Sequence, residues 1–469
     1  MKVKPGGVLF HVRGKITHDE VGFYENLNLE LKSLGFSLTI VGHHWPEKAT
    51  LPYFRVPSGL QKVSLGQVSD SYEDEKIPNE EFYLNLDRAW RPQAAEGKDS
   101  YFHSRALNFF NGYYDILLKY VKPSLVIIWN GHHPQEKILA KEAIKCGCKL
   151  GFVERGPIPG TIQYDNFGVL GGAQFATNKD IVWGNDVDIE SWCLKYDLIV
   201  KSLQGKSKTW WNQPKTYGKD LACKKLNIGK DKKIVLFAGQ VDEDAQTIFY
   251  SPFFSSSLEA LNWFCKKIGD VPGWQLLGKH HPQNHQSKAI YQNIVKECGI
   301  WSDKVSLEDA LGISDRVVAV NSTVLYEAMM RGVPAMALGV GLFTGKNVMY
   351  EFNGDFNDLD QVRRFINGED FIEKKEKFRE MMAFLLYDQL YDFYGDLYRY
   401  EVNGPKRLAE RIAIDLKTRV DYAISSESSM YLEVLRNLSS YAQEPSLAVC
   451  LGFLKKKARR SCRQLVKRG

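Results

Sequence analysis

The chain has 469 residues, 44% of them hydrophobic and 25% charged, with a formal charge of +6, a length that calls for two cores rather than one. Eight basic residues and no acid fall in Phe453 to Gly469, so the remainder is slightly acidic and offers no obvious nucleic-acid-binding surface. Eight scattered cysteines, with Cys146 and Cys148 the one close pair and no Cys-x-x-Cys, argue against a zinc site or a disulfide framework and suit a reducing cytoplasm.

The opening MKVKPGGVLFHVRGK is broken by His11 and Arg13 and does not read as a secretory signal. No run approaches the roughly 18 apolar residues of a membrane-spanning helix. A strand at Val8 to Val12, a helix around Phe23 to Leu34 and a strand at Phe36 to His44 begin a βαβ rhythm. A polar, irregular stretch from about Ser69 to Lys98 interrupts it. SYFHSRALNFFNGYYDILLKYVKP then reads as a helix feeding the strand Ser124 to Gly131, and PQEKILAKEAIKCG as a helix feeding a strand in KLGFVERGPIPG. Open parallel sheets bind ligands beyond the carboxyl ends of their strands, which is where Asn130, His132, His133, Glu154 and Arg155 fall.

Between Trp183 and Lys219 the pattern is helical and polar, and is taken as the domain junction. The second half restarts with a strand at Ile234 to Ala238 and the acidic loop GQVDEDAQ. A helix near Ser256 to Ile268, the strand of WQLLGKHHP, a helix through Ile290 to Cys298 and a strand at Val317 to Val320 follow. A helix from Ser322 to Arg331, capped by Asn321, and a strand at Ala335 to Leu338 complete the pattern. The expectation is two Rossmann-like domains, 1–200 and 201–400, facing a central cleft, with helices of 401–445 packing back on the body and a basic amphipathic tail at 446–469.

Three segments of the second half end strands and converge on one edge. Asp242 and Asp244 suit a metal-binding Asp-x-Asp, a catalytic carboxylate or a solvated turn. Asp186 and Asp188 form a second such pair, read as a helix cap or turn. Lys279 could neutralise a phosphate, with His280 or His281 donating to a phosphate or sugar oxygen. Asn321, Ser322 and Thr323 open a helix whose dipole and free N–H groups favour an anion, and Glu327, one turn on, suits a ribose diol. LGVGLFTGKN fails as a P-loop, since Val340 and Asn347 stand where Gly and Ser or Thr are needed. Gly339, Gly341 and Gly345 read as a flexible loop over a nucleotide. In GFVERGPIPGTIQYD, Pro157 and Pro159 stiffen a loop that would hold Glu154 and Arg155 in place.

Taken together and in order, VERGPIPGTIQYD, GQVDEDAQ, KHHP and VNSTVLYEAMMRGVP resemble the capsule polysaccharide biosynthesis family of β-Kdo transferases, over roughly Gly151 to Gly339. The resemblance implies a GT-B-like fold and retaining transfer of Kdo, 3-deoxy-D-manno-oct-2-ulosonic acid, from CMP-Kdo to a saccharide or lipid-linked acceptor in bacterial capsule or lipopolysaccharide synthesis. By position it implies that Asn321, Ser322, Thr323 and Glu327 hold CMP, that Gln240 lines the same site, and that Lys279 and His281 lie around phosphate and sugar. Asp244 takes the family's recurrent aspartate position, whereas Asp242 falls where its members vary. His280 and the Gly-Leu-Phe loop after Leu338 depart from the pattern.

The chemistry suits these residue types. Kdo leaves CMP from a carbon that bears a carboxylate, so Arg155 or Lys279 could hold the charge beside an oxocarbenium-like transition state. Asp244 as nucleophile gives retention by double displacement, with Glu154 as general base towards the acceptor, and Asn130 is expected among the substrate-binding residues. A nucleoside monophosphate ester lacks the diphosphate that Asp-x-Asp enzymes chelate, so no metal or other cofactor is expected. The tail 446–469 could lie on an anionic membrane, making a cytoplasmic protein peripheral to the inner membrane. The competing readings are a GT-B glycosyltransferase using a UDP- or GDP-sugar and a non-catalytic glycan-binding assembly protein.

Overall fold

The computed structural model describes residues 6–14, 16–45, 50–57, 100–178, 187–203, 213–229, 231–242, 244–269, 271–284 and 286–418. Asp186 and the tail 446–469, with its expected membrane contact, lie outside them. The described residues form two compact units, one from those within 6–156, 160–174 and 388–418, the other from those within 157–159 and 175–387. The expected break near 200 thus lies nearer 174, and the helix Ile189–Leu203 belongs to the second unit. The chain then returns to the first unit after 387 because Leu408, Ala409 and Ile412 of the helix Gly404–Lys417 pack into its core with Phe23, Leu27 and Leu31.

In the first unit, strands β1 (Gly7–Val12), β2 (Ser37–Gly42), β3 (Tyr53–Arg55), β4 (Pro123–Trp129), β5 (Lys149–Arg155), β6 (Thr161–Asp165) and a late strand, Leu390–Asp392, form one sheet. From one edge to the other, the order is Leu390–Asp392, β6, β5, β4, β1, β2, β3. β1 to β5 run parallel, and their central members are apolar on both faces because helices cover each side. The helix His18–Ser33 starts at a capping box, in which Thr17 Oγ1 accepts from Glu20 N–H and the Glu20 carboxylate accepts from Thr17 N–H. β5 and β6 form an antiparallel pair closed where Gly156 N–H donates to Thr161 O, a hairpin the sequence pattern did not predict.

The second unit's sheet comprises β7 (Lys233–Ala238), β8 (Trp274–Lys279), β9 (Gly299–Ser302), β10 (Arg316–Ala319), β11 (Ala335–Ala337) and β12 (Tyr350–Glu351), all parallel. Its order is β12-β11-β10-β7-β8-β9. In chain order this is the doubly wound 3-2-1-4-5-6 arrangement, and its direction of winding reverses between β7 and β10. Close packing of β8 on β9 depends on two glycines. A Cβ at Gly299 would stand 1.9 Å from Leu276 O, and one at Gly278 would stand 2.0 Å from Trp301 Cε3. The space so opened lets Trp301 stack on Tyr291, ring centroids 4.4 Å apart.

Candidate active site

Carboxyl ends of β7, β8 and β10 lie side by side in the second unit, with Ala238 opposite Lys279 and Phe237 opposite Val318. Just beyond them a web of buried amides binds the loops together. Gln240 Nε2 donates to Asn321 Oδ1 (3.0 Å), and Asn321 N–H returns a bond to Gln240 Oε1 (2.9 Å). Asn321 Nδ2 donates to the carbonyls of Gln246 and Tyr250 (2.9 Å each) and Val340 (3.2 Å). Asn321 is therefore not the expected helix cap: the helix runs Val324–Met330, and Thr323 is its first flanking residue. Gln240 and Asn321 hold the edges of the winding reversal together, which moves their role from contact to support.

Histidine tells the same story. Trp301 Nε1–H donates to His280 Nδ1 (3.3 Å), which leaves His280 Nε2–H to donate to Asn284 O (3.2 Å). Asn284 Nδ2 donates in turn to Gln240 O and Tyr291 Oη. Burial lowers the His280 pKa, so the neutral ring this pattern requires is the favoured one. His280 is thus a strut, while the half-buried His281 accepts from Gln283 N–H through Nδ1 (3.1 Å). Burial, with His280 and Lys279 nearby, pushes His281 down to about 4, so at neutral pH it acts through an Nε2–H rather than as a cation. Lys279 is buried, its Nζ donates to Val305 O (2.9 Å), and burial lowers it to about 8 against the pull of Asp303 and Asp309. An ammonium has three donors, so that bond leaves capacity for a second oxygen.

Asp242 and Asp244 part company. Asp242 accepts from Ser257 N–H through Oδ1 and from Gln286 Nε2 through Oδ2, both at 2.6 Å. Asp244 is exposed and caps the short helix Ala245–Phe249, Oδ1 accepting from Gln246 N–H at 2.9 Å. Ser322 Oγ accepts from Val324 N–H, Thr323 is exposed, and among the described residues the N–H groups of Ser322 and Thr323 make no hydrogen bond. Glu327, one turn on, is pushed up to about 7 by burial and by Glu308, while Arg331 draws it down. Arg331 itself pairs bidentately with Glu308 (2.7 and 2.6 Å). The segment after β11 is no flexible loop: Val340, Leu342 and Phe343 are buried, Gly341 N–H bonds Thr344 Oγ1, and Leu342 N–H bonds Tyr326 Oη. Asp188, by contrast, caps as expected, accepting from Ser191 N–H.

In the first unit, Asn130 follows β4 directly in the left-handed region (φ +66°), a conformation asparagine tolerates, and Gly131 comes next at +78°. That turn aims Asn130 Nδ2 at Glu154 Oε2, 2.6 Å away, while Glu154 Oε1 accepts from Arg155 N–H (2.9 Å). Asn130 Oδ1 accepts from His132 N–H (3.2 Å). Glu136, which sequence reasoning passed over, accepts from the N–H groups of His132 and His133 through Oε2 and caps the helix Pro134–Lys145. Its place three residues after His133, with Pro134 between, was the one available signal. Asn284, Gln286 and Ser257 left none, since their roles appear only once the loops meet. Among the described residues, no three His, Cys, Asp or Glu side chains are grouped as metal ligands, and no helix is long and apolar enough to cross a membrane.

Two Rossmann-like α/β units in one chain, each with polar side chains gathered at the carboxyl edge of its parallel strands, define a GT-B-like class of protein. Over residues 200–363 the chain matches the family described as capsule polysaccharide biosynthesis protein. That is the family its motifs resemble, and the matched segment holds GQVDEDAQ, KHHP and VNSTVLYEAMMRGVP. No curated protein matches the chain significantly. Among solved structures, Thermosulfurimonas dismutans KpsC, beta Kdo 2,7 transferase, is similar at 17% identity and a TM-score of 0.37, covering 62% of this chain and 87% of that one. The beta Kdo 2,4 transferase of the same protein is similar at 13% and 0.36, covering 49% and 73%. A UDP-GlcNAc 2-epimerase from Neisseria meningitidis is similar at 9% and 0.38, covering 87% and 99%.

Proposed function

We propose that the protein is a retaining β-Kdo glycosyltransferase that uses CMP-Kdo. The observation that carries this reading is the division of labour at the edge of the second sheet. Gln240, Asp242, His280 and Asn321 are spent on holding the loops, while Asp244, His281, Ser322, Thr323 and Glu327 keep solvent-facing surface around the same strand ends. The family match over 200–363 supports the assignment of that edge to the donor.

On this reading the CMP phosphate is met by the N–H groups of Ser322 and Thr323 and by Lys279, and Glu327 accepts from the ribose hydroxyls. Asp244 attacks the anomeric carbon as the bond to the CMP phosphate oxygen breaks, giving a glycosyl-enzyme ester and free CMP. Glu154, held by Asn130, removes the proton of the acceptor hydroxyl as that oxygen displaces Asp244, and the second inversion restores the configuration. Arg155 lies beside Glu154 in sequence and suits the carboxylate of Kdo. The leaving group is a nucleoside monophosphate, so the scheme needs neither metal nor cofactor. A lipid-linked acceptor at the inner membrane fits this chemistry. Nucleotide-dependent thermal stabilisation separates donors: CMP or CTP should raise Tm and UDP or GDP should not. Stabilisation by UDP or GDP alone would replace CMP-Kdo with another sugar nucleotide.

A further inference from the structure

Two thiols meet at the outer edge of the second unit's sheet. Cys265 Sγ and Cys298 Sγ lie 3.0 Å apart and share a hydrogen bond, each sulfur still a thiol. Cys265 stands on the helix Ser257–Ile268, 7% exposed, in the core that also holds Leu276, Val295 and Trp301. Cys298 follows the helix Lys288–Val295 and directly precedes β9, the edge strand, where it is half-buried. Both backbones are pinned. Cys265 O accepts from Gly269 N–H, Cys298 O accepts from Leu276 N–H, and Cys298 N–H donates to Val295 O, each at 3.0 Å. The fold itself therefore holds the sulfurs face to face, and a disulfide is about 2 Å long, so roughly 1 Å of side-chain movement would join them. Cys148, by contrast, donates its thiol to Pro123 O (3.2 Å) and leaves its sequence neighbour Cys146 exposed.

The two sulfurs are unequal in the way a thiol exchange needs. Their mutual bond and burial push the Cys265 thiol up, and the same bond draws Cys298 down, so Cys298 ionises first. Cys298 is also the one that a small molecule can reach from solvent.

We propose that Cys265 and Cys298 form a redox-modification site, in which Cys298 is the attacking thiol towards a low-molecular-weight disulfide and Cys265 the resolving one. With glutathione disulfide, the Cys298 sulfur attacks one glutathione sulfur, the S–S bond breaks, and the first glutathione leaves with the Cys298 proton. Cys265 then attacks Cys298 Sγ, and the second glutathione leaves with the Cys265 proton. Two protein thiols are oxidised, and one disulfide is reduced to two glutathione molecules. The new bond joins residues 33 apart. It fastens the helix whose first residue, Ser257, accepts from Gln240 N–H and donates to Asp242 to the strand whose Trp301 holds His280. Oxidation thus locks together two supports of the loops beyond β7 and β8, whichever donor those loops serve.

The test titrates the full-length reduced protein with glutathione disulfide against glutathione, quenches by alkylation, maps cross-linked peptides by mass and reads Tm in parallel. The site predicts a chain lighter by two hydrogens, a Cys265–Cys298 cross-link before any other intrachain cross-link forms, and a Tm raised by at least about 4 °C. Dithiothreitol should reverse all three. Cys298→Ser should abolish the cross-link and the Tm rise, Cys265→Ser should stop at a glutathione held on Cys298, and Cys146→Ser should behave as wild type. Should the buried Cys265→Ser fail to fold, the wild-type map and the half-exposed Cys298→Ser decide. Glutathione retained on wild-type Cys298, a cross-link that forms no earlier than those of other cysteines, or a Tm unchanged or lowered by oxidation would overturn the site.

Discussion

Asn321 is 2% exposed and spends its whole amide on tying β7 and β10 together. Asn321→Ala strands Gln240 Nε2 and the Val340 carbonyl, while Gln246 O keeps its bond from Tyr250 N–H (3.1 Å) and Tyr250 O its bond from Val340 N–H (2.8 Å). Each buried group left unsatisfied costs about 1–3 kcal/mol, so a loss of roughly 2–4 kcal/mol follows after partial relaxation. Asn321→Asp is the sharper perturbation, because it turns an oxygen toward three carbonyls and must be protonated or pay for a buried charge. It should cost at least as much as alanine despite being nearly isosteric. Urea unfolding followed by tryptophan fluorescence, with Trp263, Trp274 and Trp301 as reporters in the second unit, should show both midpoints falling with little change in slope. The loss of CMP-induced stabilisation should accompany it, since Asp244, Ser322 and Thr323 project from the loops this tie holds. An Asn321→Asp variant within about 1 kcal/mol of wild type would refute the network as drawn.

Glu136 has a folded pKa of about 7 against an ordinary 4.5, so the native state binds the extra proton between those values. Stability from this group is complete below about pH 4.5 and is lost as pH rises through 7. Glu136→Gln should therefore gain on wild type across that window by an amount on the order of 3 kcal/mol, read from chemical denaturation at several pH values; a pH-independent difference would count against the burial. Gly278→Ala should force Trp301 off Tyr291 and from His280, at roughly 1–3 kcal/mol and a Tm lower by about 2–10 °C. An unchanged Tm would contradict that packing. If Glu327 receives a ribose diol, its ionised form binds better, so CMP affinity should rise between about pH 6 and about pH 8 and fall about tenfold in Glu327→Gln. Calorimetry showing the same affinity at both pH values would remove it from the nucleotide site.

Strand rhythm exposed most of the fold, because central parallel strands are continuous apolar runs that end in polar clusters: β1, β4, β7, β8 and β10 were all legible within a residue or two. β6 was not, since TIQYD carries its pattern only when paired with β5 across the turn at Gly160. Asn321 looked like a cap because asparagine before a helix usually is one; its burial between two strand ends overrode that local preference. HHP gave no hint of which histidine was structural, as the decision rests on Trp301, far along the chain and admitted by Gly278. His11, Arg13 and Glu136 lie on β1, after it and beyond β4, and become neighbours only once sheet order is known.

The central claim is that Asp244 is the nucleophile of a Kdo transfer. Purified protein incubated with CMP-Kdo generated in situ and then weighed intact tests it most directly, with Glu154→Gln slowing discharge of any intermediate. The account predicts a gain of one Kdo residue, mapped to the peptide carrying Asp244 and lost in Asp244→Ala. A mass unchanged in every variant, with no CMP released in the presence of acceptors, would contradict it.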